Sequence, residues 1–220
     1  NKLTPRLPTS AYPHIDVLIC HYTEPAEETV ATLQKVLELD YPPSKLHVYI
    51  CDDGRLKSDF KKMDAGEHKW PTPKLNVGAI KQSGDTRHAV GEFMAETLSA
   101  HGEVHHAATE ADHTSLMSEI ALCNETISTR EVFPDPTKPD RAVARIDCAI
   151  GFVEDRYSAP GLPTVSYVAR LKPKVHHSKS GNINNILYNV QTSEGDEQLD
   201  GCERGRYVAI FDNDMQPHRQ

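Results

Sequence analysis

Residues Arg206–Asp214 read Arg-Tyr-Val-Ala-Ile-Phe-Asp-Asn-Asp, an apolar run that breaks off into two carboxylates one residue apart. A short apolar run bounded by polar residues is the pattern of a buried strand. Such a strand carries Asp212 and Asp214 at its C-terminal tip. Few folds can use charge in that position. The open α/β sheet can, because its ligands collect in the crevice beyond the carboxyl ends of the strands. Two carboxylates there suit a hard divalent cation, Mg²⁺ or Mn²⁺, which takes oxygen ligands and often shares them with a diphosphate. An acidic pair in a solvated turn has the same local sequence; the apolar run before this one favours the sheet tip.

The start of the chain fits the same architecture. Ile15–Cys20 is a short apolar strand, and Pro25 suits the first turn of a helix, where its missing N–H costs nothing. Val30, Leu33, Val36 and Leu37 recur at helical spacing up to about Leu39, and Asp40-Tyr41-Pro42-Pro43 stops the helix. Leu46–Cys51 is a second strand, ending in Asp52-Asp53-Gly54. This strand–helix–strand unit is expected to be parallel and right-handed. Asp-Gly after a strand is turn chemistry first. Two strands of one sheet ending in acidic pairs, however, crowd four carboxylates that need a cation or hydrogen-bond donors between them.

Residues 55–165 break the pattern. They are rich in Lys, Glu, His and Pro, and they read as a large inserted region between two parts of one site. Within them Val90, Phe93, Met94, Thr97 and Leu98 mark one helical face, and Leu116, Ile120, Cys123 and Ile127 another. Phe133–Asp140 and Ala159–Pro163 read as loops. His101, His105, His106 and His113 do not form a tetrahedral zinc set and read as a solvated face. The α/β pattern resumes with a strand over Val165–Leu171, a helix from about Gly181 to Val190, and a strand over Tyr207–Phe211. Glu194–Arg204 is expected to be a polar loop.

The segment His177-Ser178-Lys179-Ser180-Gly181-Asn182-Ile183-Asn184-Asn185 sets a cation at the start of that last helix. Backbone N–H groups and the helix dipole there favour anions. A basic turn before an Asn-capped helix is the bland alternative. With the strand-tip carboxylates, the segment points to a nucleotide-sugar diphosphate.

Composition narrows the partners. A formal net charge of −8 leaves no basic face for a phosphate backbone, so nucleic acid is not expected. The five cysteines are widely spaced and include no Cys-x-x-Cys pair, which points to a reducing compartment rather than a disulfide framework. Cys20 and Cys51 lie in apolar runs and read as small buried hydrophobes. No apolar run is long enough to cross a bilayer.

Taken in order, Asp16–Pro25, Leu39-Asp-Tyr41-Pro42, Tyr49–Gly54, the His177–Asn185 segment and Phe211–Asp214 resemble the processive family-2 glycosyltransferases, most closely the cellulose synthase group. The resemblance covers residues 13–54 and 165–217, and the His-x-Lys-x-Gly-Asn-x-Asn segment is its most discriminating part. It implies a GT-A (Rossmann-like) α/β fold binding UDP-glucose and a divalent metal, with inverting transfer onto a growing β-1,4-glucan chain. It implies that Tyr22 and Glu24 border the uridine and that Asp52 and Asp53 contact the uracil or ribose. Lys179, with His177, would neutralise the diphosphate. Asp212 and Asp214 would hold Mg²⁺ or Mn²⁺, and Asp212 would also face the UDP-sugar. The metal stabilises charge on the departing UDP.

Two departures stand out. Met215 occupies the position where some relatives carry a further His ligand, with His218 the nearest candidate. The family's Thr-Glu-Asp base and Gln-x-x-Arg-Trp motif are absent, and Trp70, the single tryptophan, lies in the inserted region. The expectation is therefore a partial catalytic domain spanning residues 1–220, the donor half, inactive alone, with the base beyond residue 220. The full-length enzyme is expected at the plasma membrane with this domain facing the cytoplasm, as a homo-oligomer or synthase complex. Two alternatives remain: a β-1,3- or mixed-linkage glucan synthase, and a non-catalytic nucleotide- or metal-binding module.

Overall fold

The computed structural model describes residues 7–58, 73–101, 105–106, 133–135, 138–143, 150–172, 178–189, 205–213 and 215. His177, Asp214, the helical face Leu116–Ile127 and the loop Glu194–Arg204 lie outside them.

Four strands and one α-helix open the described chain. β1 (Ile15–His21) leads into α1 (Ala26–Leu37), which is followed by β2 (Leu46–Asp52), β3 (Leu56–Ser58) and β4 (Pro73–Leu75). Two helices follow, α2 (Val77–Ser83) and α3 (Thr86–Ala100). Then come β5 (His105–His106), β6 (Phe133–Asp135), β7 (Lys138–Val143), β8 (Ile150–Ser158) and β9 (Thr164–Leu171). The described chain closes with α4 (Ser178–Asn184), a π-helical turn over Asn185–Asn189, and β10 (Tyr207–Asp212).

The main sheet has the order β10-β1-β2-β9-β8-β5. The first four strands are mutually parallel; β8 runs antiparallel to β9, and β5 antiparallel to β8. This is a mixed α/β fold with a mostly parallel sheet, compatible with a Rossmann-like arrangement. Every residue of β2 is buried, which explains why it reads as a continuous apolar run: a parallel strand is covered on both faces.

The two faces are separated by strand alternation. Val17, Ile19, Val48, Ile50, Val165 and Tyr167 pack with Leu33 and Val36 of α1 and with Val90, Met94 and Leu98 of α3. Leu18, Tyr49, Cys51 and Val168 point the other way and meet Ile183 and Ile186 of α4 and its π-helical turn. Burying a Leu, Ile or Met contributes about 1.5–3 kcal/mol each, so this double-sided core is the main source of stability.

Several local expectations shift. α1 ends at Leu37, and its buried face includes Thr29 and Thr32 beside Leu33 and Val36. Within residues 55–165, α3 and β8 belong to the principal sheet and its core. Phe133–Asp140, read as a loop, contains β6 and the start of β7, paired antiparallel. Pro134 and Pro139 fall in these strands, and proline is tolerated there because each strand of a two-stranded sheet has an edge needing no N–H donor. β10 is an edge strand, not a buried one: Tyr207, Val208 and Ile210 are 55%, 40% and 45% exposed. Only β1 pairs with it among the described residues. Cys20 and Cys51 are free, buried and in register on neighbouring strands, as small hydrophobes in a core.

Candidate functional site

β1 lies between β10 and β2, and the chain visits β2 and β9 on one side before reaching β10 on the other. Strand order therefore reverses at β1, and a crevice opens at such a switch point beyond the carboxyl ends of the strands. The register brings the tips level: Cys20 pairs with both Asp212 and Cys51, and His21 with Asp52.

Asp212, at the end of β10, accepts a hydrogen bond from the Lys179 ammonium of α4. Both side chains are close to half exposed, so the pair sits at the protein surface beyond the strand tips. Ser178, just before Lys179, holds a left-handed backbone with φ 47°. A non-glycine residue is strained there. The Ser178 carbonyl accepts from Nη2 of Arg170 at 3.3 Å, which ties the start of α4 to β9. Farther along α4, Nδ2 of Asn182 donates to the Cys51 carbonyl at 2.8 Å and docks the helix on β2.

The β2 carboxylates are held by donors of the protein itself. One oxygen of Asp52 accepts from the backbone N–H of Gly54 at 2.7 Å and of Arg55 at 2.9 Å. Its other oxygen accepts from the Tyr167 hydroxyl. Asp53 forms a two-pronged pair with Arg170, at 2.6 and 2.7 Å. Arg170 is 1% exposed, so this ion pair is fully desolvated. The crowding expected of acidic strand tips is thus relieved on the β2 side by an arginine, a tyrosine and two backbone amides.

The loop after β1 completes the rim. Tyr22 is half exposed, and Lys172 stands over its ring at 4.2 Å from the centroid, with its ammonium 4.0 Å from Asp53. Burial pushes the Lys172 pKa down, and Arg170 adds to this against the pull of Asp53 and Asp52. Glu24 turns back on its own loop and accepts from the N–H of Tyr22 at 2.7 Å and of Thr23 at 3.0 Å. Burial alone would raise its carboxyl, but these N–H groups and His21 hold it below its ordinary value. Gly54 is required here: a Cβ would stand 1.8 Å from the Tyr22 carbonyl oxygen. A small cleft beside this turn is lined by His21, Tyr22, Asp52, Gly54, Arg55 and Thr86, among others.

Below the crevice lies a buried polar chain. Thr29 donates to Oδ1 of Asn213 at 2.6 Å, and Thr32 donates to the Asn213 carbonyl at 2.7 Å. Thr29 is also 3.1 Å from Nδ1 of His21, whose Nε2 is 2.9 Å from the Thr86 hydroxyl.

Tyr22, Glu24, Asp52, Asp53, Lys179 and Asp212 therefore gather along one edge of the sheet, while His177 and Asp214 lie outside the described residues. Sequence reasoning missed Arg170, Lys172 and the two threonines, and read Asn182 only as part of the His177–Asn185 segment. Arg170 had a usable signal: a charge inside the apolar run Val165–Leu171 must find a partner if buried.

Among the described residues, no three His, Cys, Asp or Glu side chains converge as a metal-binding group. Asp212 offers a hard oxygen at the strand tip. One carboxylate does not cage a cation by itself, and any Mg²⁺ or Mn²⁺ here would need most of its oxygen ligands from a bound molecule or water. No helix among the described residues is long and apolar enough to cross a membrane.

No family model matches the chain. A segment of 56 residues is 38% identical to a UDP-forming cellulose synthase catalytic subunit of Dictyostelium discoideum. The match covers 26% of this chain and 4% of that relative's length. It suggests a partial link to glycosyltransferases.

Proposed function

We propose that the crevice at the β1/β10 switch point is the donor site of a GT-A glycosyltransferase that binds UDP-glucose with Mg²⁺ or Mn²⁺. The observation that carries this reading is the meeting of Lys179 and Asp212 across the tip of β1. A cation and a carboxylate, both reachable by solvent, are the two charges needed to hold a diphosphate and its counter-ion. Lys179 binds the diphosphate as a point charge. Tyr22 and the Asp52-Asp53 turn border the nucleoside, with Lys172 and Arg170 fixing that wall. Asp212, with Asp214, supplies carboxylate oxygens to the metal, which when bound stabilises negative charge on the UDP leaving group.

Within this reading the chain is the donor-binding part of a larger β-1,4-glucan synthase at the plasma membrane. The glucan acceptor and the catalytic base belong to the remainder of that enzyme. The partial match to a cellulose synthase supports the glycosyltransferase class of this reading. Calorimetry of UDP binding tests the site: affinity rises when Mn²⁺ is added, and Asp212→Ala abolishes the rise. UDP binding that ignores Mn²⁺ in the wild-type protein counts against the assignment.

A further inference from the structure

Asn213 sits between the two carboxylates of the Asp212–Asp214 triplet, yet it is 3% exposed. Asn213 follows Asp212 in a turn that the Met215 N–H closes onto the Asp212 carbonyl at 2.9 Å, so whatever holds Asn213 also holds the residue next to Asp212. The inward position of Asn213 is held twice, by Thr29 on the side-chain carbonyl and by Thr32 on the main-chain carbonyl. The two threonines stand one helical turn apart on α1, and both are 0% exposed. Hydroxyls buried this deeply are costly unless bonded, and here both bonds go to the same residue.

The clamp is itself braced. Thr29 has one hydroxyl proton, which it gives to Asn213, so toward His21 it can only accept. Nδ1 of His21 thus faces Thr29, and its Nε2 lies 2.9 Å from the hydroxyl of Thr86, the first residue of α3. One hydrogen-bonded chain runs from α3 through the tip of β1 and through α1 to the end of β10. His21 and Thr86 are also 3% exposed.

We infer that Thr29 and Thr32 are positioning residues that orient the Asp212 carboxylate through Asn213, so that cation binding in the crevice depends on two hydroxyls that touch no ligand. This rests on the donor-site reading above and adds to it which residues set the aim of Asp212.

The test measures UDP affinity with and without Mn²⁺ for wild type, Asp212→Ala, Thr29→Val with Thr32→Val, Thr29→Ser with Thr32→Ser, and Asn213→Ala, all in the full chain. The expected result is at least a tenfold loss of the Mn²⁺-dependent gain in the valine pair. UDP affinity without metal should stay within twofold. The serine pair, which restores the hydroxyls, should recover most of the gain. Asn213→Ala, which leaves both threonines in place, should behave as the valine pair and decides the matter if that pair does not fold. A wild-type gain that Asp212→Ala removes but Asn213→Ala preserves overturns the positioning role and leaves the donor site intact. A serine pair as defective as the valine pair also overturns it. No Mn²⁺-dependent gain in the wild type overturns both readings.

Discussion

The Lys179 ammonium donates to the Asp212 carboxylate, although the two residues are 33 apart in sequence and lie on α4 and β10. Both ends are well exposed, and an ion pair of that kind adds little to folding stability. Its significance is chemical. In the proposed donor site the two would part, Lys179 turning to the diphosphate and Asp212 to its cation.

Replacing Lys179 by alanine separates the diphosphate from the nucleoside. UDP affinity should fall about ten- to a hundredfold, the range for a lost charge-assisted contact of ~1.5–3 kcal/mol. Uridine, which has no diphosphate, should bind almost as before. Equal weakening of both ligands would mean that Lys179 supports the local fold and would remove the central element of the donor site. Asp53→Ala should instead weaken UDP and uridine together.

The same ion pair predicts an opposite effect on the metal. With Lys179 gone, Asp212 no longer has an ammonium competing for its oxygen. Mn²⁺ binding in the absence of UDP, followed by electron paramagnetic resonance, should therefore strengthen in Lys179→Ala. A weakening would show that Lys179 and the cation do not share Asp212.

How much of this was readable depended on range in sequence. β1, α1, β2, α3 and β9 each carry their signal within one segment: an apolar run, a helical repeat, or a proline that stops it. Asp212 and Lys179 stood out in the sequence because a charge is unusual next to an apolar strand or a glycine, and the structure brings the two together. β8 was missed because Ile150–Ser158 contains Glu154, Asp155 and Arg156, which look solvated. Asp155, only 4% exposed, is neutralised by Arg87 at 2.6 Å, a partner 68 residues away. Thr29 and Thr32 were hidden for the same reason. Their partner Asn213 is more than 180 residues distant, and without it a threonine on a helix reads as solvent-facing. Asp52 and Asp53 were legible as a turn after a strand, but not as carboxylates already occupied by Tyr167 and Arg170.

Arg170 offers a test of that occupation. Arg170→Met removes one partner of a buried pair and leaves Asp53 uncompensated, which should cost about 3–5 kcal/mol in urea unfolding. Adding Asp53→Leu removes the stranded charge and should recover much of the loss. If the double variant is no more stable than Arg170→Met, the arginine matters mainly through the Ser178 carbonyl.

Gly54→Ala probes the approach of the Asp52–Arg55 turn to the loop after β1. The added methyl meets backbone oxygen rather than a movable side chain, so one of the two loops must shift. Overpacking of this kind costs about 1–3 kcal/mol. Uridine affinity should fall with it, since Tyr22 is displaced. Unchanged stability and unchanged uridine binding would show that Tyr22 does not form the nucleoside wall.

The last prediction concerns acid. His47 is buried on β2, stacked on Tyr49 with ring centroids 4.0 Å apart. Its Nε2 is 2.9 Å from the Ser166 hydroxyl and its Nδ1 is 3.0 Å from that of Tyr49. Burial, reinforced by the charge of Arg156, pushes its pKa down from 6.5 to about 3. A histidine kept neutral in the folded state takes up protons more readily when unfolded. Its contribution is therefore fully present above pH 6.5 and is lost as pH falls toward about 3. At ~1.36 kcal/mol per pH unit, a drop from pH 7 to pH 5 should remove about 2 kcal/mol through this residue. His47→Gln keeps a polar side chain without a titrating ring. Its urea-unfolding free energy should fall less over that interval than the wild type's, by about that 2 kcal/mol. Parallel pH profiles for the two proteins would mean that His47 is already protonated in the fold, and that its two hydroxyl neighbours accept from a cation.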